Sequence, residues 1–512
     1  MDNKLSKNAL IAKNTFLLYI RSLFGLVVSL YTSRVILNSL GIDDYGIYNV
    51  VGGIVAMFSL LSNSLSAAIS RYLTFELGGG NINKLRIAFF SSIAIQIGLA
   101  LIIFLLVEIL GIWFLNHYIN IPTERLEAAH WVLQCSAITF VIGLMSVPYN
   151  AAIIAHEKMV FFAYISILEQ VLKLIVAFLL YISPFDKLKI YAVLLVIVSI
   201  LIRTIYGMYC KRKFEECNGK IIINKPFILE MVGFAGWNFL GAGSGVLMTQ
   251  GVNVLMNIFF TVAVNAARGI ATQIEGVVMN FVNNFTTAIN PQITKSYASG
   301  DRECLFQLIY RGSKYSFFLV LFFALPISLE TDSILMLWLG LVPAYTSQFV
   351  RLSLLVALLS VISNTLVTAM LATGNIKKYQ IVVGGTGMLV FPLVYIAYYV
   401  GMPPAISYVI TFLIFIVQLF YRLLLLRSMI QLSVCCFLKQ VLLKDVYVLV
   451  LSSIVPIMLH LYLPIENGLF KLLIICFASA LTTIISIFYC GCDQKEKAFV
   501  RQKLSIFKYK IL

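Results

Sequence analysis

Six basic side chains interrupt stretches that are otherwise apolar: Arg21, Arg34, Lys173, Arg203, Arg268 and Arg351. Four acids do the same, Glu108, Glu169, Glu275 and Glu330. A charge at hydrocarbon depth costs at least about 2.5–3.5 kcal/mol, so each of these groups must face protein or water. Glu169 and Lys173 are four apart, on one helix face, where they can pair. Arg268 and Glu275 are seven apart, also on one face. Arg21, Arg34, Arg203 and Arg351 have no acid near them in sequence. Those near helix ends can snorkel to headgroups. Taken together, surplus cations suit an anionic ligand, and the planar donor fork of arginine suits phosphate. Asn283, Asn284 and Asn290 follow on the same stretch as Glu275, where they either line a polar cavity and bond sugars or bridge helices.

Other chemistry is poorly supplied. Nine cysteines are scattered, mostly within apolar runs, and read as small apolar side chains. The four histidines, His117, His130, His156 and His460, stand apart and read as structural. A metal site needs several ligands at suitable spacing, so none is expected. Gly78-Gly79-Gly80 lacks the Lys-Ser/Thr of a phosphate loop, so nucleotide binding is rejected. No cofactor and no catalytic residue is expected.

The elements that must position these groups are membrane helices. Of 512 residues 61% are hydrophobic and 12% charged, against roughly 45–50% and 25% in soluble domains. The excess apolar surface must face lipid. Apolar runs fall at roughly 14–38, 46–70, 86–115, 129–153, 159–183, 188–210, 229–257, 265–290, 309–331, 347–372, 379–400, 404–427, 446–463 and 468–489. Each holds a core of about 20 residues, enough for a slab of about 30 Å. The fold class is thus an all-α polytopic membrane protein with about fourteen transmembrane helices. The first run is too long for a cleaved signal, which has an apolar region of about 7–15 residues.

A net charge of +16 would suggest nucleic acid in a soluble protein. Here the basic residues fall in alternate short connections, including Arg71, Lys84 and Arg86, Lys158, Lys211 to Lys213, Lys295 and Arg302, and Lys377 and Lys378. Arg125, Lys187 and Lys189 are exceptions on the other side. The positive-inside rule then puts both termini in the cytoplasm. No connection is long enough for a soluble catalytic domain.

The chain repeats weakly after roughly 220 residues. Residues 34–38 align with 253–257, Gly80-Asn81 with Gly300-Asp301, 109–113 with 334–338, and 151–155 with 369–373. An offset of six helices keeps both copies in the same orientation, so they are parallel repeats about an axis along the membrane normal. This divides the chain into an N-terminal six-helix bundle (1–215), a C-terminal one (216–430), and two extra helices with a basic tail (431–512). Two such bundles would enclose a central space reached by alternating access. The seventh helix carries Gly236, Gly241, Gly243 and Gly245, which permit close packing or bending.

The stretch 31–48, which runs Arg34, Leu40-Gly41, Asp43-Asp44, Tyr45-Gly46 and Ile47-Tyr48, resembles the first-helix signature of polysaccharide flippases. Asn290-Pro291-Gln292-Ile293, Gly300-Asp301 and Ala372-Thr373-Gly374-Asn375 are also similar to that family. The family is the oligosaccharide flippase branch of the multidrug/oligosaccharidyl-lipid/polysaccharide exporter superfamily, and the run at 48–53 looks most like Bacteroides-type versions. The resemblance implies a multi-pass protein of the bacterial inner membrane. It would move undecaprenyl-pyrophosphate-linked oligosaccharides to the periplasmic leaflet, alongside proteins of polysaccharide assembly. The motif carries over Arg34 alone. A peptidoglycan-precursor flippase and a cation-coupled drug exporter of the same fold are the alternatives. The first helix has no Asp or Glu in its core, which weighs against an exporter of cationic drugs.

Overall fold

The computed structural model describes residues 2–498 except 42–43, 45–46, 49–50, 53–54, 56–57, 119–122, 219–223, 261, 340–341, 464–467 and 495. Fourteen long helical runs follow one another, with no strand among the described residues. They are α1 (Asp2–Leu40), α2 (Ser59–Gly78), α3 (Ile82–Asn116), α4 (Leu126–Ala155), α5 (Met159–Ile182), α6 (Lys187–Lys213) and α7 (Lys225–Met256). Then come α8 (Val262–Ala298), α9 (Arg302–Leu329), α10 (Thr346–Thr373), α11 (Lys377–Tyr399), α12 (Ile406–Ile430), α13 (Val434–Tyr462) and α14 (Gly468–Gly491). A backbone in lipid must satisfy its own hydrogen bonds, which is why runs of this composition close into helices.

Eleven of these helices are long and apolar enough to cross a membrane, counted over the described residues. This is a multi-pass membrane protein. The exceptions are α1, which offers the shorter apolar stretch Asn14–Ser29, and α2 and α8. In α8 the cause is plain: Asn265, Arg268, Gln273, Glu275, Asn280, Asn283, Asn284 and Asn290 dilute its apolar residues. It is nonetheless 37 residues long, about 55 Å at 1.5 Å per residue.

Several helices outrun the expected bounds. Arg71 lies within α2 and Lys295 within α8, where the sequence suggested connections. Charged side chains at a helix end mark where the hydrocarbon stops, and the helix continues into the headgroup layer.

The chain forms two compact units. Unit 1 holds residues Met1–Ala242 with Thr294–Gly300; unit 2 holds Gly243–Ile293 with Asp301–Leu512. In unit 1, α1 packs on α5, and α4 packs on α2, α3 and α6. Its core joins Ala100, Ile103 and Val107 of α3 to Ala128, Val132 and Leu133 of α4. In unit 2, α9 packs on α10, and α10 on α12. Gly312 sets the α9–α10 approach, because an added Cβ would lie 2.4 Å from Thr365 Cγ2. One residue on, the Ser313 hydroxyl donates to the Ile362 carbonyl at 2.8 Å, where α10 breaks. That bond satisfies an acceptor the broken helix would leave orphaned. The helices α13 and α14 pack on each other and on α9.

Candidate functional site

The candidate cations divide by what surrounds them. Lys173 pairs with Glu169 at 2.6 Å on the surface of α5, both about two-fifths exposed. Arg351 reaches Asp332 at 2.9 Å and the Ser328 carbonyl at 3.0 Å. Asp332 lies 19 residues back on the short helix Thr331–Leu339, so spacing alone did not reveal it. These two are exposed, ion-paired groups.

Arg21, Arg203 and Arg268 rest on aromatic faces. Arg21 of α1 lies 5.1 Å from the Phe162 ring centroid on α5. Arg203 of α6 stands 3.9 Å from the Tyr149 centroid on α4, and its Nε is buried without a hydrogen-bond partner. Arg268 of α8 lies 5.4 Å from the Tyr408 ring of α12, again with a partnerless buried Nε. No ion pair to Arg203 or Arg268 is present among the described residues. A ring face offers an arginine about 0.5–2 kcal/mol, well short of what a carboxylate gives at depth. The Arg34 side chain lies outside the described residues.

The local backbone explains part of the Arg268 position. The helix α7 contains a π-turn at Leu247–Gly251. Such a turn displaces carbonyls from the regular ladder, and the Thr249 carbonyl accepts a long bond of 3.4 Å from Arg268 Nη2. Glu275 is two turns along α8 from Arg268 and makes no ion pair among the described residues. Asn283 is exposed, Asn284 is buried, and Asn290 accepts a 3.0 Å bond from Thr368 Oγ1 of α10. Asn290 thus makes a bond between α8 and α10.

Sequence reasoning missed the densest charge cluster, in unit 2. Lys314, 2% exposed on α9, donates to Glu496 Oε2 at 2.9 Å. Arg311 meets Glu496 Oε1 at 3.0 Å, and Asp493 pairs with Lys444 and lies 3.8 Å from Lys314. Burial would raise the Asp493 carboxyl, but the Lys444 hydrogen bond and the nearby Lys314 and Arg311 hold it below the usual carboxylate range. The cluster pins the segment after α14 to α9. No sequence period links residues 182 positions apart, so nothing in the chain announced it.

Two histidines that stand apart in sequence are also paired. His156 meets Glu216 at 2.7 Å and stacks on Phe214; His460 meets the buried Glu330 at 2.8 Å. No metal-ligating cluster occurs among the described residues, and all nine cysteines are free thiols.

The MatE family model matches residues 20–179. Solved MATE structures superpose over most of the chain. One, in the straight conformation, has a TM-score of 0.67 at 12% identity, covering 83% of this chain and 97% of its own. The fold is that of the MATE transporters. A Vibrio cholerae MATE transporter mutant gives 0.67 at 18% identity, covering 83% and 98%. A MOP superfamily transporter of Pyrococcus furiosus, for which reverse polarity of the binding pocket is reported, gives 0.65 at 12% identity, covering 82% and 96%. These MATE-fold neighbours leave about a sixth of this chain unmatched, the size of segment 431–512. No curated protein matches the chain.

Proposed function

We propose that this chain is an alternating-access exporter of the MATE fold whose cargo carries an anionic group, and that this cargo is a lipid-linked oligosaccharide. The observation that carries the reading is Arg268. Its guanidinium sits near the start of α8, on an aromatic face, with one long hydrogen bond and no ion pair among the described residues. Arg203 repeats the pattern in unit 1. A pyrophosphate would supply the missing acceptors, through charge-assisted bonds that are strong in a dry site. The lipid tail would remain in the bilayer while the headgroup crosses. The first-helix pattern around Arg34 favours the glycan cargo. Location in the inner membrane with cytoplasmic termini belongs to the same proposal.

A small-molecule exporter is the second reading, and the MATE-fold neighbours, which include a multidrug resistance transporter, support it better than they support glycan flipping. Glu275 favours it too, as an acid within the helix α8 that a cation-coupled cycle can use.

Reconstitution decides between them. Proteoliposomes are loaded with a fluorescent undecaprenyl-pyrophosphate oligosaccharide, and its access to an impermeant quencher is followed beside uptake of a cationic dye. Protein-dependent redistribution of the glycan, lost in Arg268→Ala, supports the flippase. Dye movement with a static glycan transfers the assignment to the exporter.

A further inference from the structure

Unit 1 holds, beside the turn between α4 and α5, a cavity of about 390 Å³ that the transport reading does not use. It is lined by Asn14 of α1, Glu157 and Lys158 before α5, Val160, Phe161 and Tyr164 of α5, and Tyr209 of α6. Ligand sites commonly run from about 300 to 1,000 Å³, so the space is ligand-sized.

Three separate features of this cavity favour an anion. First, Lys158 is exposed and makes no ion pair among the described residues. The acid beside it is already committed, since Glu157 pairs with Lys295 at 2.5 Å. Second, Lys158 is the N-cap of α5, and no side chain caps that helix. The first-turn N–H groups of a helix need acceptors and carry the positive end of its dipole. Third, Asn14 is 2% exposed and its Nδ2 has no hydrogen-bond partner. A buried amide donor without an acceptor is destabilising, and an anionic oxygen in the cavity would supply that acceptor.

The remaining walls suit a hydrocarbon chain. Phe161 stacks on Tyr209, and Tyr164 is 65% exposed on α5, where a membrane helix meets lipid. Tyrosine and lysine at a helix end mark the headgroup level. We infer that this cavity is a site for an anionic phospholipid, with the phosphate between Lys158, the α5 N-terminus and Asn14, and an acyl chain along Val160 and Tyr164. Neither Arg268 nor Arg203 lines this cavity, and the site does not depend on the nature of the transported cargo.

Native mass spectrometry of the full-length protein, titrated with phosphatidylglycerol or phosphatidylcholine, tests this. One Lys near the surface contributes about 1 kcal/mol toward anionic lipid, equivalent to about fivefold in affinity. Wild type is expected to retain phosphatidylglycerol in preference to phosphatidylcholine. Lys158→Glu, at an exposed position that the fold does not need, lowers that affinity at least fivefold. Asn14→Leu lowers it too, whereas Lys225→Glu, an exposed cation at the start of α7, leaves it unchanged. Inorganic phosphate at tens of millimolar does not displace the lipid. Equal binding by wild type and Lys158→Glu overturns the site. An equal loss in Lys225→Glu reduces it to general surface charge, and displacement by phosphate makes it a soluble-anion site; either contradicts the inference.

Discussion

Two sets of arginines and lysines are treated in opposite ways. Around the last helices of unit 2, Lys314 and Arg311 are met by Glu496, and Lys444 by Asp493. Each buried cation there has an acid within reach. On α6 and α8, Arg203 and Arg268 have ring faces and partnerless Nε atoms instead. The first arrangement offsets desolvation with geometry and so fixes structure. The second leaves the offset incomplete, which is tolerable only if water or a ligand completes it. The difference separates charges that hold the C-terminal helices in place from charges that, in the proposed function, meet the cargo.

The comparison breaks most visibly at Glu496. Its removal leaves Arg311 and the almost wholly buried Lys314 short of their shared acid, so Glu496→Ala is expected to lose about 3–5 kcal/mol, seen as a lower unfolding midpoint in detergent. Adding Lys314→Met to a Glu496→Leu variant recovers much of that loss. If the single change is silent, the cluster is not what fixes α13 and α14.

Arg268→Ala is expected to do the reverse. Stability moves by less than about 1 kcal/mol, since only one long bond, to the Thr249 carbonyl, is lost, while binding of the lipid-linked glycan weakens. Loss of charge-assisted bonds of about 1.5–3 kcal/mol corresponds to roughly 10- to 100-fold in affinity. A collapse of stability with unchanged binding would place Arg268 with the structural charges.

Gly312→Ala probes packing without charge. The added Cβ meets Thr365, so about 1–3 kcal/mol is expected from overpacking, read from the unfolding midpoint. No change would mean that α9 and α10 separate freely.

Acid reports on the same cluster. The Asp493 carboxyl sits below its unfolded value in the folded chain, so its contribution is complete above about pH 4 and fades as pH falls through the lowered value. Unfolding midpoints of wild type and Asp493→Asn should therefore differ at neutral pH and converge in acid. The smallest effect is Lys173→Ala: its exposed i,i+4 pair is worth about 0.5 kcal/mol or less, and transport should not change.

The sequence was most legible where one physical rule acted alone. Apolar run length located the eleven helices long and apolar enough to span, because hydrocarbon thickness sets it. The Glu169–Lys173 pair was readable from helical spacing. Ends were less legible: α2 runs to Gly78 and α8 to Ala298, since charges that signal the headgroup layer do not stop a helix. The site was least legible. Arg351 finds Asp332, Lys314 finds Glu496, and His460 finds Glu330 only after helices far apart in sequence pack together. Arg203 and Arg268 were visible as charges, but that neither makes an ion pair among the described residues is a property of packing.

The most direct test of the central claim is equilibrium binding of an undecaprenyl-pyrophosphate oligosaccharide to purified protein, compared across wild type, Arg268→Lys and Arg268→Gln over a salt series. The account predicts that Arg268→Gln weakens binding at least tenfold and flattens the salt dependence, with Arg268→Lys in between, because a single ammonium keeps the charge but not the planar fork. Equal affinity in all three proteins, with the glycan bound as tightly as its uncharged analogue, would contradict it.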